Sequence, residues 1–232
     1  MSRARRAQLS LDLRPRTRDG RVAKRRGRKP TGRRSDPRHR TRPAVRATEP
    51  QHVTLRVTRD VGTLRRRKAY RAVRRALLRC AAVRTDFRVV HVSIQRTHLH
   101  LLVEADDRRA LARGMQGFAI SAAKRLNREL GRARGDVFAF RYHATAIATP
   151  RQARNALAYV LNNWRRHGAD RYSIARVDPY ATGYAFADWR VARPPDADVL
   201  PVVAATAWLF TDGWRRAGPI YPTEVPGPDP RP

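Results

Sequence analysis

Between residues 50 and 167, two kinds of hydrophobic periodicity follow one another in an order that constrains the fold of this chain. Apolar residues at every second position indicate strands, whereas apolar residues three or four apart indicate helices. The order β-α-β-β-α-β-α predicts an α+β fold in the ferredoxin-like group, with helices packed on a mainly antiparallel sheet. The predicted strands are His52–Thr58, Arg88–Ile94, His98–Glu104 and one or two within Val137–Ala148, and the predicted helices are 63–84, 108–130 and 150–167. A tight Gln-Arg-Thr connection predicts that the second and third strands pair as a hairpin.

Residues with strong positional preferences mark the ends of two of these helices. Asp106 and Asp107 can cap the second helix, and Gly131 can end it. Thr149 and Pro150 supply an N-cap and a first-turn proline for the third. These signals make the helix positions more secure than periodicity alone does.

The charge of the chain indicates a polyanionic partner. The 232 residues include 51 Lys and Arg against 19 Asp and Glu, a formal net charge of +32. Arginine dominates over lysine, which favours forked contacts to phosphate. Nucleic acid is the expected partner. A membrane is not expected, because no stretch of the sequence approaches the length of a membrane span.

Residues 1–48 are predicted to be a disordered basic arm. They hold 18 Lys and Arg, three acids and little apolar material, so they cannot bury a core. The segment RGRKP resembles short hooks that lie in the DNA minor groove, with Arg26, Arg28 and Lys29 as the contacts, although a solvated run of charge is the simpler interpretation.

A less basic island in the arm, QLSLDL, resembles the short peptide by which many bacterial proteins bind the replication sliding clamp. Gln8 would come first, with Leu11 and Leu13 as apolar anchors. Six residues match by chance about as readily, so the sliding clamp is a weakly supported partner.

The far end of the chain differs from the middle in composition. Nine of the 16 prolines lie after residue 190, which predicts an extended tail over 191–232 with a small packed segment around Trp208 and Trp214. The expected organisation is therefore an arm (1–48), a catalytic domain (49–190) and a tail (191–232). The single cysteine, Cys80, excludes a disulfide framework and fits a reducing cytosol, and the N-terminus lacks the apolar core of a secretory signal.

Two histidines in one predicted strand form a candidate metal site. His98 and His100 are two residues apart, so both side chains project from one face, with Glu104 further along it, while Leu99 and Leu101 take the opposite face. Two imidazoles can bind one divalent metal and leave positions open for water or a phosphate oxygen. Two histidines on a solvated face would give the same pattern.

The third helix carries a tyrosine away from its apolar stripe. At about 100° per residue, Tyr159 falls roughly 130° from the centre of that stripe, and Asn163 shares its face one turn on. Tyr159 is therefore expected on a polar strip, although exposed tyrosines are common. The stripe comprises Ala153, Leu157, Val160 and Trp164, and the strip comprises Tyr159, Asn155 and Asn163 beside a basic helix end at Arg165 and Arg166.

These parts are chemically compatible with cleavage of a phosphodiester. A tyrosine has a pKa near 10, so its attack on phosphorus needs activation. A metal held by the histidines can polarise the phosphate, an amide such as Asn163 can complete the ligand set, and arginines can offset the charge of the transition state.

Three segments carry a family resemblance. RTHLHLLVE resembles the His-hydrophobic-His (HUH) strand of the single-tyrosine, insertion-sequence transposases, and ALAYVLNNWRRHG resembles their nucleophile helix. The intervening GMQGFAISAAKRLNRELGRARGDVFAFRYHA is similar to the REP-associated tyrosine transposase branch. The resemblance covers about residues 50–190. It implies a ferredoxin-like, RRM-like fold and a Mg²⁺- or Mn²⁺-dependent endonuclease and strand transferase that acts on single-stranded or hairpin DNA in transposition and recombination.

The resemblance also implies roles for individual residues. His98 and His100 would be metal ligands, Asn163 the third ligand, and Tyr159 the nucleophile that becomes linked to a 5′ phosphate and leaves a free 3′ hydroxyl. Trp164 departs from the branch, which usually has proline after that asparagine. The implied location is the bacterial cytoplasm, with the nucleoid.

The remaining histidines and arginines are less distinctive. Arg141 and His143 lie in a predicted strand that could approach DNA, although ordinary polar strand positions are as plausible. His52 and His91 are interpreted as structural.

Two other functions are compatible with the sequence: a catalytically idle DNA- or RNA-binding protein of the same fold, and a relaxase or replication initiator. Relaxases and initiators are usually larger and often have more tyrosines in the nucleophile helix, which here has one. The sequence leaves open whether the protein is a monomer or a homodimer.

Overall fold

The computed structural model describes residues 44–171, 173, 175–189 and 199–227. Predictions that concern the basic arm before residue 44 lie outside these residues. They are the disorder of the arm, the clamp-binding residues Gln8, Leu11 and Leu13, and the minor-groove residues Arg26, Arg28 and Lys29.

A four-stranded antiparallel sheet forms the centre of the molecule. Its strands are β1 (Gln51–Arg56), β2 (Phe87–Ile94), β3 (His98–Ala105) and β4 (His143–Ala146), in the spatial order β2-β3-β1-β4. All neighbouring strands are antiparallel, and β2 and β3 form the predicted hairpin. The predicted α+β fold is confirmed.

Helices cover both faces of this sheet. Helices α1 (Arg67–Val83) and α2 (Arg108–Glu129) pack together on one face, and α3 (Pro150–Arg166) packs on β2 and β3 from the other. A short helix, α4 (Trp208–Thr211), follows near the end of the described chain and contacts α3. Two apolar cores result, one on each side of the sheet.

Alternation along the strands divides the side chains between the two cores. Leu99 and Leu101 point into the core under α1 and α2, and Leu102 points into the core under α3. A β-bulge in β2 shifts the register between Val89 and His91. Val89 belongs to the core under α1 and α2, and Val90 belongs to the α3 core. The shift pairs His91 with Leu102 and so leaves His91 on the α3 side as well.

The predicted helix ends hold for α2 and α3. Asp107 Oδ1 accepts a hydrogen bond of 2.7 Å from the Ala110 N–H, and Gly131 adopts a φ of 69° just past the end of α2. At α3, Thr149 and Gln152 form a reciprocal capping box ahead of the rest of the helix.

One predicted helix boundary is wrong. Helix α1 begins at Arg67 and not at Thr63, because the Leu64 N–H donates outward to the Arg96 carbonyl at 2.8 Å and Arg66 remains extended. In the region 137–148, where one or two strands were predicted, the described residues form one regular strand, β4, and Phe138 forms an isolated bridge to Val57.

The described part of the tail, residues 199–227, packs against the domain. Trp214 is 3% exposed within the α3 core, whereas Trp208 is 46% exposed. The buried carboxylate of Glu104 accepts hydrogen bonds from the backbone N–H groups of Thr206 and Ala207, at 3.0 and 3.0 Å, and so fixes the start of this segment to β3. The packed segment is more extensive than predicted, while the domain boundaries stay predictions.

None of the helices in the described ranges has the length and apolar character that a bilayer crossing needs.

Candidate active site

One face of the sheet, the face under α3, carries a concentration of histidines. Thr54 of β1 lies opposite His100 of β3 on one side and opposite His143 of β4 on the other, so these three side chains share a face. His98 and His52, each two residues away along its own strand, share it too. Apolar alternation on the other face therefore creates a polar surface beneath α3.

The two predicted metal-ligand histidines are adjacent and differently held. Their ring centroids are 4.6 Å apart. His100 is 5% exposed, and its Nδ1 lies 3.1 Å from His52 Nε2 and 3.3 Å from Thr54 Oγ1. His98 Nδ1 lies 3.2 Å from Thr97 Oγ1. All three contacts engage the Nδ1 atom of a ring. His100 Nε2 is buried without a hydrogen-bond partner in the described part of the chain.

The structure places Tyr159 directly against the histidine cluster, which consists of His52, His98 and His100. Its ring centroid is 5.1 Å from that of His100 and 5.6 Å from that of His52, both edge to face. The side chain is half-buried at the margin of the α3 core. This position agrees with the expectation that Tyr159 lies off the apolar stripe of α3. The polar strip that carries Tyr159 faces the sheet, however, and Asn155 is the one residue of that strip that is exposed.

Asn163 lies one turn beyond Tyr159 and is fully buried, at 0% exposure. Neither its Oδ1 nor its Nδ2 has a hydrogen-bond partner among the described residues. One further turn on, His167 places its ring 6.2 Å from that of His98. Asn163 therefore stands on α3 between two side chains that each contact a histidine of β3.

Burial lowers the pKa values of His100, His52 and His98. It is the main cause that lowers the pKa of His100 to about 2, followed by the charges of His52, His98 and His167. Burial also lowers the pKa of His52 to about 4, with His143 as a second cause, and it lowers the pKa of His98. A neutral imidazole keeps the lone pair that a metal ligand needs.

The donor atoms fit a divalent cation. A buried imidazole nitrogen and a buried amide oxygen without partners among the described residues are costly to leave unsatisfied, and both are atoms that can ligate a cation. The described residues contain no group of three or more His, Cys, Asp or Glu suited to a metal. A cation bound by His98, His100 and Asn163 would accordingly rely on one amide and keep positions open for other oxygens.

A groove of about 670 Å³ opens beside Tyr159 and His52. One wall comes from the end of β4 and the first turns of α3, including Gln152 and Asn155, and the opposite wall is Glu224–Gly227 of the C-terminal segment. The tyrosine thus lies at the side of a cleft and not on a flat surface.

The predicted DNA-contacting residues occupy two different environments. Arg141 and His143 are exposed at and just before β4. Arg165 donates to the Pro222 carbonyl at 2.7 Å and to Asp170 at 2.9 Å, and Arg166 donates to the Pro226 carbonyl at 3.0 Å. The last two therefore fasten the C-terminal segment, a role that the sequence did not indicate, and DNA contact by any of the four stays a prediction.

His52, which the sequence analysis interprets as structural, contacts both His100 and Tyr159, so the fold brings it beside the predicted site residues. The alternation in HVTLRVT was a usable signal, since it places His52 on a polar strand face, but the pairing of β1 with β3 was not deducible from spacing. His91 does have a structural environment: it is buried, with Nδ1 3.0 Å from Thr182 Oγ1.

Comparison with known proteins finds a match over the centre of the chain. Residues 52–163, which are 112 of the 232 residues, match a family described as transposase IS200-like. A solved structure described as a REP-associated tyrosine transposase bound to a REP hairpin is similar with a TM-score of 0.49 and 16% identity, covering 73% of this chain and 95% of that chain. A comparison with curated proteins found no match.

Proposed function

We propose that this chain is a metal-dependent DNA transesterase that cuts and rejoins single-stranded or hairpin DNA through a phosphotyrosine at Tyr159. The observation that carries the proposal is the contact between Tyr159 and the histidine cluster. The Tyr159 ring lies 5.1 Å from the His100 ring. His100 Nε2 and the Asn163 side-chain amide are buried and have no hydrogen-bond partner among the described residues. An idle binding protein has no need for a phenol at that position.

The proposed step exchanges one phosphate ester for another. The Tyr159 oxygen loses its proton and forms a bond to phosphorus, and the bond from phosphorus to the 3′ oxygen breaks. The departing 3′ oxygen takes up a proton and becomes a free hydroxyl, while the 5′ phosphate remains on the tyrosine. Because the number of ester bonds is unchanged, the reverse step can join the phosphate to a new 3′ hydroxyl.

His98, His100 and Asn163 are the proposed ligands of a divalent cation, Mg²⁺ or Mn²⁺. A cation bound there supplies Lewis-acid polarisation of the scissile phosphate. The chain itself supplies the orientation: α3 carries the nucleophile and the amide on one side, and β3 holds the imidazoles on the other. Preorganised groups of this kind lower the barrier because they need not rearrange as charge develops.

The proposed substrate fits the charge of the chain and the shape of the cleft. The net charge of +32 favours a polyanion. The groove beside Tyr159 provides room for a nucleotide strand next to the nucleophile. Exposed Arg141 and His143, and the arm residues Arg26, Arg28 and Lys29, are proposed as further DNA contacts.

The decisive experiment detects the covalent intermediate. Wild-type protein is incubated with a labelled hairpin oligonucleotide carrying single-stranded flanks, with Mn²⁺ or with EDTA, and resolved on a denaturing gel. We expect a metal-dependent adduct with wild type and none with Tyr159→Phe, a loss of at least about a thousandfold for a removed nucleophile. Tyr221→Phe, which alters an exposed tyrosine of the C-terminal segment, is the matched control and should behave as wild type.

Two outcomes would contradict the proposal. If Tyr159→Phe still forms the adduct, another residue is the nucleophile. If wild type binds the oligonucleotide without forming an adduct on any hairpin or flank tested, with either metal, the idle binding protein is the better description.

A further inference from the structure

We propose that His52 is a positioning residue, which holds His100 in the tautomer that presents its Nε2 lone pair to a divalent cation. The inference rests on the proposed function in one respect: it takes His100 as a metal ligand. It adds a residue from β1 to a site that the sequence placed on β3 and α3 alone.

The geometry connects the two rings through one specific pair of nitrogens. His52 Nε2 lies 3.1 Å from His100 Nδ1, within the range of a hydrogen bond. The ring centroids are 5.1 Å apart and the planes are inclined by 34°, so the rings meet edge to edge and do not stack. His52 and His100 lie on neighbouring antiparallel strands, which makes this contact a consequence of the sheet register.

The hydrogen bond decides which nitrogen of His100 is free. A neutral imidazole has one N–H and one lone pair. If His52 Nε2 accepts, the proton of His100 must sit on Nδ1, and the lone pair must sit on Nε2. That Nε2 is the atom that lacks a hydrogen-bond partner among the described residues. A hydrogen-bond acceptor behind a ligand imidazole also fixes the ring's orientation and increases its basicity.

His52 offers an acceptor to His100 when its own proton is on Nδ1. Its lone pair is then on Nε2, the atom that lies 3.1 Å from His100 Nδ1. Thr54 Oγ1 also approaches His100 Nδ1, at 3.3 Å, but a hydroxyl can donate as well as accept and so does not select one tautomer.

The same hydrogen bond argues against His52 as the base for Tyr159. His52 lies close to the tyrosine, with ring centroids 5.6 Å apart. When its Nε2 accepts from His100, however, its remaining nitrogen carries the proton and cannot accept another. The structure therefore favours positioning over proton transfer for this residue.

The test compares two substitutions that differ in one property. His52→Gln keeps an acceptor near the original Nε2, and His52→Leu removes it. Binding of Mn²⁺ is measured by electron paramagnetic resonance without DNA, and the His100 tautomer is read from imidazole proton–nitrogen correlations in metal-free, ¹⁵N-labelled protein. Thr145→Ala, which shortens an exposed side chain opposite His52 on β4, is the control.

We expect His52→Leu to weaken Mn²⁺ binding about 10- to 100-fold, the usual cost of losing such a partner, and His52→Gln to restore most of it. Wild type should show the proton of His100 on Nδ1, and His52→Leu should lose that preference. The inference is overturned if wild-type His100 carries its proton on Nε2, or if both substitutions weaken Mn²⁺ binding equally. Failure of this kind, with a normal Tyr159 adduct in wild type, would leave the proposed function intact.

Discussion

The two faces of the central sheet are made by the same strands and yet have opposite chemistry. In β3, Leu99 and Leu101 are completely buried under α1 and α2, whereas His98 and His100 face α3. The first face packs as a purely apolar core. The second also contributes to an apolar core, but it buries imidazole and amide groups as well, some of them without partners among the described residues. Alternation thus lets one strand serve stability on one side and chemistry on the other.

The difference teaches where stability and activity are separable in this fold. Burying apolar side chains stabilises a fold, whereas burying an unsatisfied polar group costs free energy. Substitutions on the apolar face should therefore change stability and leave the site's affinity for metal intact. Substitutions at the proposed metal ligands on the other face should do the reverse. Three experiments follow, ordered by the size of the expected effect on stability.

Leu101→Ala should produce the largest change. The residue is fully buried between β1 and β2, and truncation removes its contacts and leaves a cavity, at a cost of about 3–5 kcal/mol in unfolding free energy. Urea titration measures this loss. Leu78→Ala on α1, where the leucine is 44% exposed, is the control and should cost less than about 1 kcal/mol. An altered Mn²⁺ affinity in the folded Leu101→Ala protein would break the comparison between the faces.

Acid should lower the free energy of unfolding through His91, which lies on the α3 side of the sheet. Burial lowers the pKa of this imidazole to about 4, against 6.5 for an unperturbed histidine. Between these values the unfolded chain binds a proton that the folded chain does not, so stability falls as pH falls through this window and levels off below it.

From pH 7 to pH 5 the His91 contribution amounts to about 2 kcal/mol, as follows from about 1.4 kcal/mol per pKa unit. The measurement is the difference between wild type and His91→Gln in urea midpoints at the two pH values. Subtracting the variant removes the contributions of His52 and His100, whose pKa values are also lowered. An identical pH dependence in wild type and variant would show that His91 is not the group responsible.

Asn163→Leu should change stability least of the three substitutions, and it tests the proposed ligand role of the amide directly. It replaces two buried polar atoms, which lack partners in the part of the chain that the structure describes, with apolar ones of similar extent. Stability should therefore stay level or rise by about 1 kcal/mol. Metal binding and the Tyr159 adduct should both be lost. Thermal unfolding without metal, together with Mn²⁺ titration, separates the two effects. A clear loss of stability would mean that the amide is satisfied within the fold.

Much of this architecture was predictable from local pattern. The order of elements, the β2–β3 hairpin and the caps at Asp107 and Thr149 follow from periodicity and from residues with strong positional preferences. The same is true of His98 and His100, because residues two apart in a strand must share a face. Such features involve neighbours in the sequence, so the sequence alone is enough to place them.

What could not be predicted depends on contacts between distant residues. Asn163 was expected on a polar strip of α3. It is buried, because α3 lies between the sheet and the C-terminal segment. His52 entered the site only because β1 pairs with β3 in one register. Helix α1 starts later than predicted because the Leu64 N–H donates to a carbonyl in a turn that is distant in the sequence. Periodicity within a segment contains no information about such partners.

The way in which α3 holds the C-terminal segment has an evolutionary consequence. The Asn162, Arg165 and Arg166 side chains donate to the carbonyl oxygens of Tyr221, Pro222 and Pro226. Main-chain oxygens are present whatever residue stands there, so the path of this segment can persist while its amino acids drift between lineages. Homologous tails that share little sequence can therefore wall the same cleft, and their correspondence would emerge from superposed backbones before it emerged from aligned letters.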